Sequence, residues 1–299
     1  MKDVAVADVR TDASIARVIG DYVALTKPRL NALVIFSSAA GYYLGAQLPI
    51  DFTVMAHAVI GTTLVAGGAA ALNQLAERDT DAMMRRTRLR PLPDGRITPA
   101  EARLFGLVLS VAGLGILAGR ANLLSALLAL ATIVVYLVIY TPMKRRTPAA
   151  TLLGAVPGAL PPLIGWAASH GSIALGGASL FAIVFLWQIP HFMAIAWMYR
   201  DDYSAAGFPM LPVIDPGGAR AARQALVYSI LLVPVSLIPA VVGVAGTIYG
   251  GVALVLGVAM AALAVRFNRE RNDATARALF FASITYLPLL WIVMVIDRM

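Results

Sequence analysis

The sequence predicts an all-α membrane protein. It would have nine transmembrane helices, two four-helix pseudo-repeats plus a ninth helix, around a central cavity open to the cytoplasmic side. Three observations predict it. The 299 residues are 60% hydrophobic and only 13% charged, against roughly 45–50% and about 25% in soluble domains. The apolar residues gather into stretches near the ~20 residues that a bilayer-spanning helix needs. The basic residues collect between alternate pairs of stretches, which places them on one face. Disorder requires the opposite composition. The absence of cysteine excludes a disulfide framework, thiolate metal sites and thiol nucleophiles.

The stretches run at 30–48, 54–76, 101–119, 121–140, 150–169, 174–198, 224–244, 247–265 and 277–296. The first opens behind the basic Lys27-Pro28-Arg29, and the second closes on an acidic run. The third and fourth are separated only by Gly119-Arg120-Ala121-Asn122, a tight turn. The fifth follows Lys144-Arg145-Arg146, and the sixth contains Pro190 and His191. The seventh carries Pro234 and Pro239, which a membrane helix tolerates when its neighbours satisfy the freed carbonyls. The basic segment 266–277 divides the last two.

Of the 24 Lys and Arg, 22 lie in the N-terminal tail to Arg29 and in segments 77–103, 141–149, 200–223 and 266–277. Arg120 and Arg298 alone fall on the other side. The positive-inside rule makes the basic face cytoplasmic. The expectation is a cytoplasmic N-terminal tail at 1–29, a single membrane domain at 30–296, and a C-terminus on the opposite side. The net charge of +8 is then a topology signal, and no nucleic-acid partner is expected. Asp3, Asp8 and Asp12 argue against a cleaved signal or transit peptide, so a bacterial inner membrane is expected.

Two long loops on the basic face, about 77–100 and 200–223, lie four helices apart. Each opens with carboxylates at a helix end and continues into Pro/Gly-rich sequence. Eight of the sixteen Asp and Glu lie in or beside them. This pattern reads as a duplicated four-helix unit, and such duplications place a site between their halves.

In the first loop Asn73, Glu77 and Asp81 are spaced i, i+4, i+8. On a helix they stack on one face over about 12 Å, while Asp79 points elsewhere. Three oxygen donors suit Mg²⁺, which takes one or two carboxylates and fills its shell with water and substrate phosphate. Arg86 and Arg90 follow directly, and guanidinium forks suit phosphate oxygens. Arg85 and Arg88 read as topology signal. In the second region His191 sits inside an apolar stretch beside Pro190, and Arg200-Asp201-Asp202-Tyr203 closes the helix. An ionisable residue at membrane depth is a functional candidate, and a hydrogen-bonded packing residue is the alternative. Lys144-Arg145-Arg146 either marks topology or closes over a diphosphate.

These residues form strings that resemble the intramembrane aromatic prenyltransferase (UbiA) superfamily. The strings are Leu25-Thr-Lys-Pro-Arg29; Asn73 through Glu77, Asp81, Met84, Arg86, Thr87 and Arg90-Pro91-Leu92; Tyr140-Thr-Pro-Met-Lys144-Arg145; Gly154 through Gly158, Pro161-Pro162 and Gly165-Trp166; and Trp187-Gln-Ile-Pro190-His191-Phe192 through Asp202-Tyr203, Gly207 and Pro209-Met-Leu-Pro212. The Pro-Pro and Trp-Gln-Ile-Pro-His-Phe segments resemble the haem O synthase (protohaem IX farnesyltransferase) branch. That resemblance implies transfer of farnesyl from farnesyl diphosphate to a vinyl group of haem b, with water addition giving haem O. It implies Mg²⁺ held by Asn73, Glu77, Asp81 and Asp202, with Asp201 the alternative in the second motif. It implies Arg86, Arg90, Lys144 and Arg145 at the diphosphate. Lys27 and Arg29 would meet diphosphate or haem propionates, Tyr203 beside the second motif would bind substrate, and His191 would serve in iron contact or proton handling. Haem A synthase or oxidase assembly proteins are the implied partners. The competing readings are a prenyltransferase acting on 4-hydroxybenzoate or a quinone precursor, and a secondary transporter.

Overall fold

A computed structural model describes residues 3–299, with side chains from 14 onward except Leu30; residues 1–2 of the expected tail lie outside it. Fourteen α-helices follow in order: α1 (Asp3–Leu25), α2 (Pro28–Gly45), α3 (Phe52–Ala76), α4 (Arg78–Met83), α5 (Pro99–Arg120), α6 (Leu123–Val134), α7 (Thr141–Met143), α8 (Ala150–His170), α9 (Leu175–Met198), α10 (Arg200–Ala205), α11 (Leu211–Ile214), α12 (Ala219–Val241), α13 (Thr247–Glu270) and α14 (Asp273–Ile296). A π-helical segment, Val135–Tyr140, joins α6 to α7. Among the described residues the only β-pairing is the isolated bridge Ala245–Arg298.

Eight helices are long and apolar enough to cross a membrane: α3, α5, α6 through α7, α8, α9, α12, α13 and α14. The expected first span corresponds to α2, 18 residues long, which begins with polar Arg29 and Asn31 and falls short of that apolarity. The helices also overrun the apolar stretches. α12 starts at Ala219 behind left-handed Gly218, five residues ahead of the expected 224. α13 runs to Glu270, stopped by left-handed Arg271. α14 starts at Asp273 under a capping box of Asn272 and Thr275. An apolar run marks only the part of a helix that needs an apolar surround; caps decide where the helix ends. The expected turn before α6 is made by Asn122, whose side chain caps Ser125 N–H and donates to the Ala167 carbonyl at 2.7 Å.

Small residues let the spans approach closely. On α3 and α5, Gly61 and Gly68 face Gly113 and Gly106, where an added Cβ would press into the opposite backbone. On α2 and α8, a Cβ at Gly41 would overlap the Pro162 carbonyl oxygen, and one at Gly165 the Ser38 carbonyl oxygen. Helix pairs repeat: α2–α3, α3–α5 and α5–α6 are matched by α8–α9, α9–α12 and α12–α13, and α14 packs on α9 and α13.

The helix breaks repeat as well. α3 passes into α4 at Glu77 (φ −101°, ψ 8°), and α9 passes into α10 at Tyr199 (φ −111°, ψ 23°). Aligned on these breaks, Asp201 occupies the place of Asp79 and Asp202 that of Thr80. Glu77 and Asp81 have no carboxylate counterpart in this alignment, where Tyr199 and Tyr203 take their places.

Candidate functional site

The end of α3 gathers three oxygen donors, each with a cation. Asn73 (2% exposed) accepts from Lys27 Nζ at 3.0 Å through Oδ1. Glu77 (8% exposed) takes Lys144 Nζ at 3.3 Å on both oxygens. Asp81 (1% exposed) takes Arg90 Nη1 at 2.7 Å on Oδ2. The helix breaks at Glu77, but Glu77 N–H still reaches the Asn73 carbonyl and Asp81 N–H the Glu77 carbonyl. The i, i+4, i+8 stacking therefore survives the break. Asp79 is turned out and pairs with Arg78, its side chain 87% exposed.

Three cations thus face two carboxylates. Burial and the neighbouring Arg90 push Lys27 down to about 8, the response of an ammonium in a corner short of negative charge. Lys144 feels the same burial, but Tyr140 and Glu77 hold it above its ordinary value. Its ammonium also lies 4.6 Å from the Phe208 ring centroid.

Two further residues contribute to this corner: Tyr136, which lies outside the motif strings, and Thr141, which lies within the Tyr140-Thr-Pro-Met-Lys144 string. Tyr136 donates to Asn73 Oδ1 at 3.0 Å, and Asn73 Nδ2 donates to Thr141 Oγ1 at 3.1 Å. Both flank or lie in the π-helical segment, which stacks Tyr136 on Tyr140 at 5.6 Å. π segments inside α-helices are frequent at functional sites, but the apolar string Val135–Tyr140 carries no sign of one. Tyr136→Phe is expected to cost about 1 kcal/mol of Asn73 positioning, a roughly fivefold loss of kcat/KM with the melting temperature almost unchanged; initial rates and a melting curve on the same preparation check it.

The second acidic segment meets the first through an apolar cluster. Met84 packs with Tyr203, Ala206 and Phe208, and Tyr203 is buried in this cluster. Asp201 and Asp202 line a cavity of about 370 Å³ with Met83, Arg85, Met198, Tyr199 and Ala205. Arg85, read as topology signal, lines that cavity, and Arg86 lies over the Tyr199 ring at 5.3 Å. Among the described residues no three of His, Asp and Glu converge closely enough to hold a metal by themselves. The structure brings Asn73, Glu77 and Asp81 to one corner and Asp201 and Asp202 to an adjoining cavity. Arg29 and Arg145 are exposed.

The Trp187–Phe192 block lies on α9. Trp187 Nε1 donates to the Ser283 carbonyl at 2.7 Å, and Gln188 Nε2 to the Ala155 carbonyl at 3.2 Å. A Cβ at Gly158 would overlap Gln188 Oε1. His191 Nδ1 is 2.8 Å from Ser283 Oγ. The block thereby ties α9 to α8 and α14.

The UbiA prenyltransferase family model matches residues 34–285. The chain belongs to the UbiA prenyltransferase family. Among relatives of this UbiA member, the protoheme IX farnesyltransferase of Solibacter usitatus is 47% identical over 287 residues, covering 93% of this chain and 98% of its own. The protoheme IX farnesyltransferases of Koribacter versatilis and Opitutus terrae are 42% and 46% identical, each covering at least 95% of both chains. The fold is shared with a solved digeranylgeranylglyceryl phosphate synthase (TM-score 0.80, 16% identity, 94% and 98% coverage). It is also shared with a UbiA homologue from Archaeoglobus fulgidus bound to GPP and Mg²⁺ (TM-score 0.67, 15% identity, 92% and 99% coverage). The chain is a membrane prenyltransferase.

Proposed function

We propose that this chain transfers the farnesyl group of farnesyl diphosphate to a vinyl group of haem b, giving haem O. The near-full-length relatives at 41–47% identity, named protoheme IX farnesyltransferases, support the reaction. The observation that carries it is the buried row Asn73, Glu77 and Asp81, each donor facing a cation.

The donor set fits Mg²⁺: one amide oxygen and two carboxylates, with room in the coordination preference for water and phosphate. Asn73, Glu77 and Asp81 would hold it, with Asp202, or Asp201, contributing across the adjoining cavity. When bound, the ion neutralises charge on the departing diphosphate. Lys27, Lys144 and Arg90, now paired to these donors, would turn to the diphosphate oxygens, joined by Arg86 and by exposed Arg29 and Arg145. Cations gathered in a low-dielectric corner stabilise a leaving anion. The C1–O bond of farnesyl diphosphate breaks, C1 bonds to the vinyl terminal carbon, and water adds at the other vinyl carbon with loss of a proton. His191 would face the haem. Tyr203 would bind substrate beside the second motif.

The same reading makes α2 a ninth span, with its polar start at the membrane surface, and sets the nine spans around a cavity open to the cytoplasm. Residues 1–29 form a cytoplasmic tail that includes α1, and 30–296 form one membrane domain of the bacterial inner membrane. The C-terminus lies outside. Haem A synthase or oxidase assembly proteins are the natural recipients of the product.

Diphosphate release tests this. With purified protein and farnesyl diphosphate, release is expected only with both Mg²⁺ and haem b, and is abolished by chelation. Release supported instead by 4-hydroxybenzoate would move the acceptor to the quinone precursors. No release with any acceptor would restore the transporter reading.

A further inference from the structure

Ser283 is a fully buried hydroxyl in the middle of α14. Its own proton is spent locally: Oγ donates to the Phe280 carbonyl at 2.6 Å. A serine hydroxyl has one proton; with it assigned to the shorter contact, Oγ accepts from His191 Nδ1 at 2.8 Å. That assignment puts the ring's proton on Nδ1 and leaves the lone pair on Nε2.

The ring is also fixed in plane. It stacks on Trp187 (5.1 Å, 17°) and on Phe280 (5.1 Å, 21°). Trp187 in turn donates to the Ser283 carbonyl at 2.7 Å. One residue therefore holds the stacking indole with its main chain and the imidazole with its side chain. Among the described residues Nε2 has no hydrogen-bond partner, and it is not among the buried atoms left unsatisfied, such as the Trp166 and Trp291 indole nitrogens; it is accessible. Among the described residues no carboxylate hydrogen-bonds or pairs with the ring, so none is placed to stabilise an imidazolium. The arrangement suits a neutral Lewis base, not a proton relay. Imidazole bound to a metal through one nitrogen is held by a hydrogen bond at the other.

We infer that Ser283 is a positioning residue that locks His191 in the Nδ1–H tautomer and presents Nε2 as an axial ligand to the iron of the haem substrate. This rests on the haem-acceptor reading above. Iron–nitrogen coordination forms with no proton transferred. His191 lies seven residues, about 10 Å of helix rise, before the end of α9 at Met198. Coordination there would fix the macrocycle's height beneath the diphosphate corner and limit which vinyl group can reach the farnesyl C1.

The test is spectroscopic. Ferrous haem b bound to the detergent-solubilised protein should show an iron–histidine vibration by resonance Raman. It should vanish in His191→Ala and return as an iron–imidazole band when imidazole is added. Ser283→Ala should shift it to lower frequency and weaken haem affinity about tenfold or more, the usual effect of removing such a partner. Ser283→Thr, which keeps an acceptor, should restore it. Should the alanine variant fail to fold, Ser283→Cys, near-isosteric and a weaker acceptor, should show a smaller shift in the same direction. A band that persists in His191→Ala, or that does not move in the Ser283 variants while haem is still farnesylated, overturns this inference and leaves the reaction standing. Failure to bind haem, with metal-dependent prenylation of a phenolic acceptor, overturns both.

Discussion

Asp81→Ala is expected to lower kcat/KM for prenyl transfer by about 10²–10³-fold, the range for removing one preorganised electrostatic partner of the transition state. Asp81 is 1% exposed and, among the described residues, its side chain is engaged by Arg90 alone. The loop beyond it should keep its shape, because Thr87 Oγ1 donates at 2.7 Å to the main-chain carbonyl of Asp81, which alanine retains. Arg90 is 28% exposed, so its freed guanidinium finds water and the stability loss stays near 1–3 kcal/mol. The activity loss should therefore far exceed the stability loss. Asp81→Asn should retain part of the fold stability but need much higher Mg²⁺ for half-maximal rate. Initial rates across a Mg²⁺ series, beside thermal melting, check both. Rates within tenfold of the parent at low Mg²⁺ would remove Asp81 from the metal site.

The largest effect on stability is expected at the α2–α8 seam, where Gly41→Leu should cost about 3 kcal/mol or more. That is the upper end of overpacking costs. The atom a Cβ would strike is the Pro162 carbonyl oxygen, a main-chain atom that cannot rotate away. Gly165→Leu meets the Ser38 carbonyl in the same seam, so the double variant should be less than additive. Gly115→Leu on α5, with nothing within 4 Å of its would-be Cβ, should melt near the parent. Equal melting temperatures for Gly41→Leu and Gly115→Leu would mean that the helices do not pack as closely as described.

The helices were legible because apolar runs and the basic segments between them reflect the bilayer's demands directly. The start of α12 and the end of α13 were not, because Gly218 and Arg271 bound these helices by backbone conformation rather than by polarity. Asn73, Glu77 and Asp81 were legible as a stack because helical spacing survives the break at Glu77. The cations that pair with them come from α2's start, from the residue after α7 and from the loop after α4, and only tertiary packing brings those together. The place of Asp201 and Asp202 depends on how Met84, Tyr203 and Phe208 dock the two loops, which no local spacing encodes. Tyr136 was invisible because a π-helical turn leaves no mark in an apolar string. In α9, Pro190 and His191 drew notice by being unusual at membrane depth. Ser283, which holds His191, did not, since a serine in a membrane helix is ordinary.

The most direct measurement is the product of purified protein supplied with haem b, farnesyl diphosphate and Mg²⁺, separated by chromatography and identified by mass. A more hydrophobic haem heavier by a farnesyl group and one hydroxyl, absent without Mg²⁺ and strongly reduced in Asp81→Ala, is the predicted result. Unmodified haem alongside a prenylated small aromatic acid would contradict it.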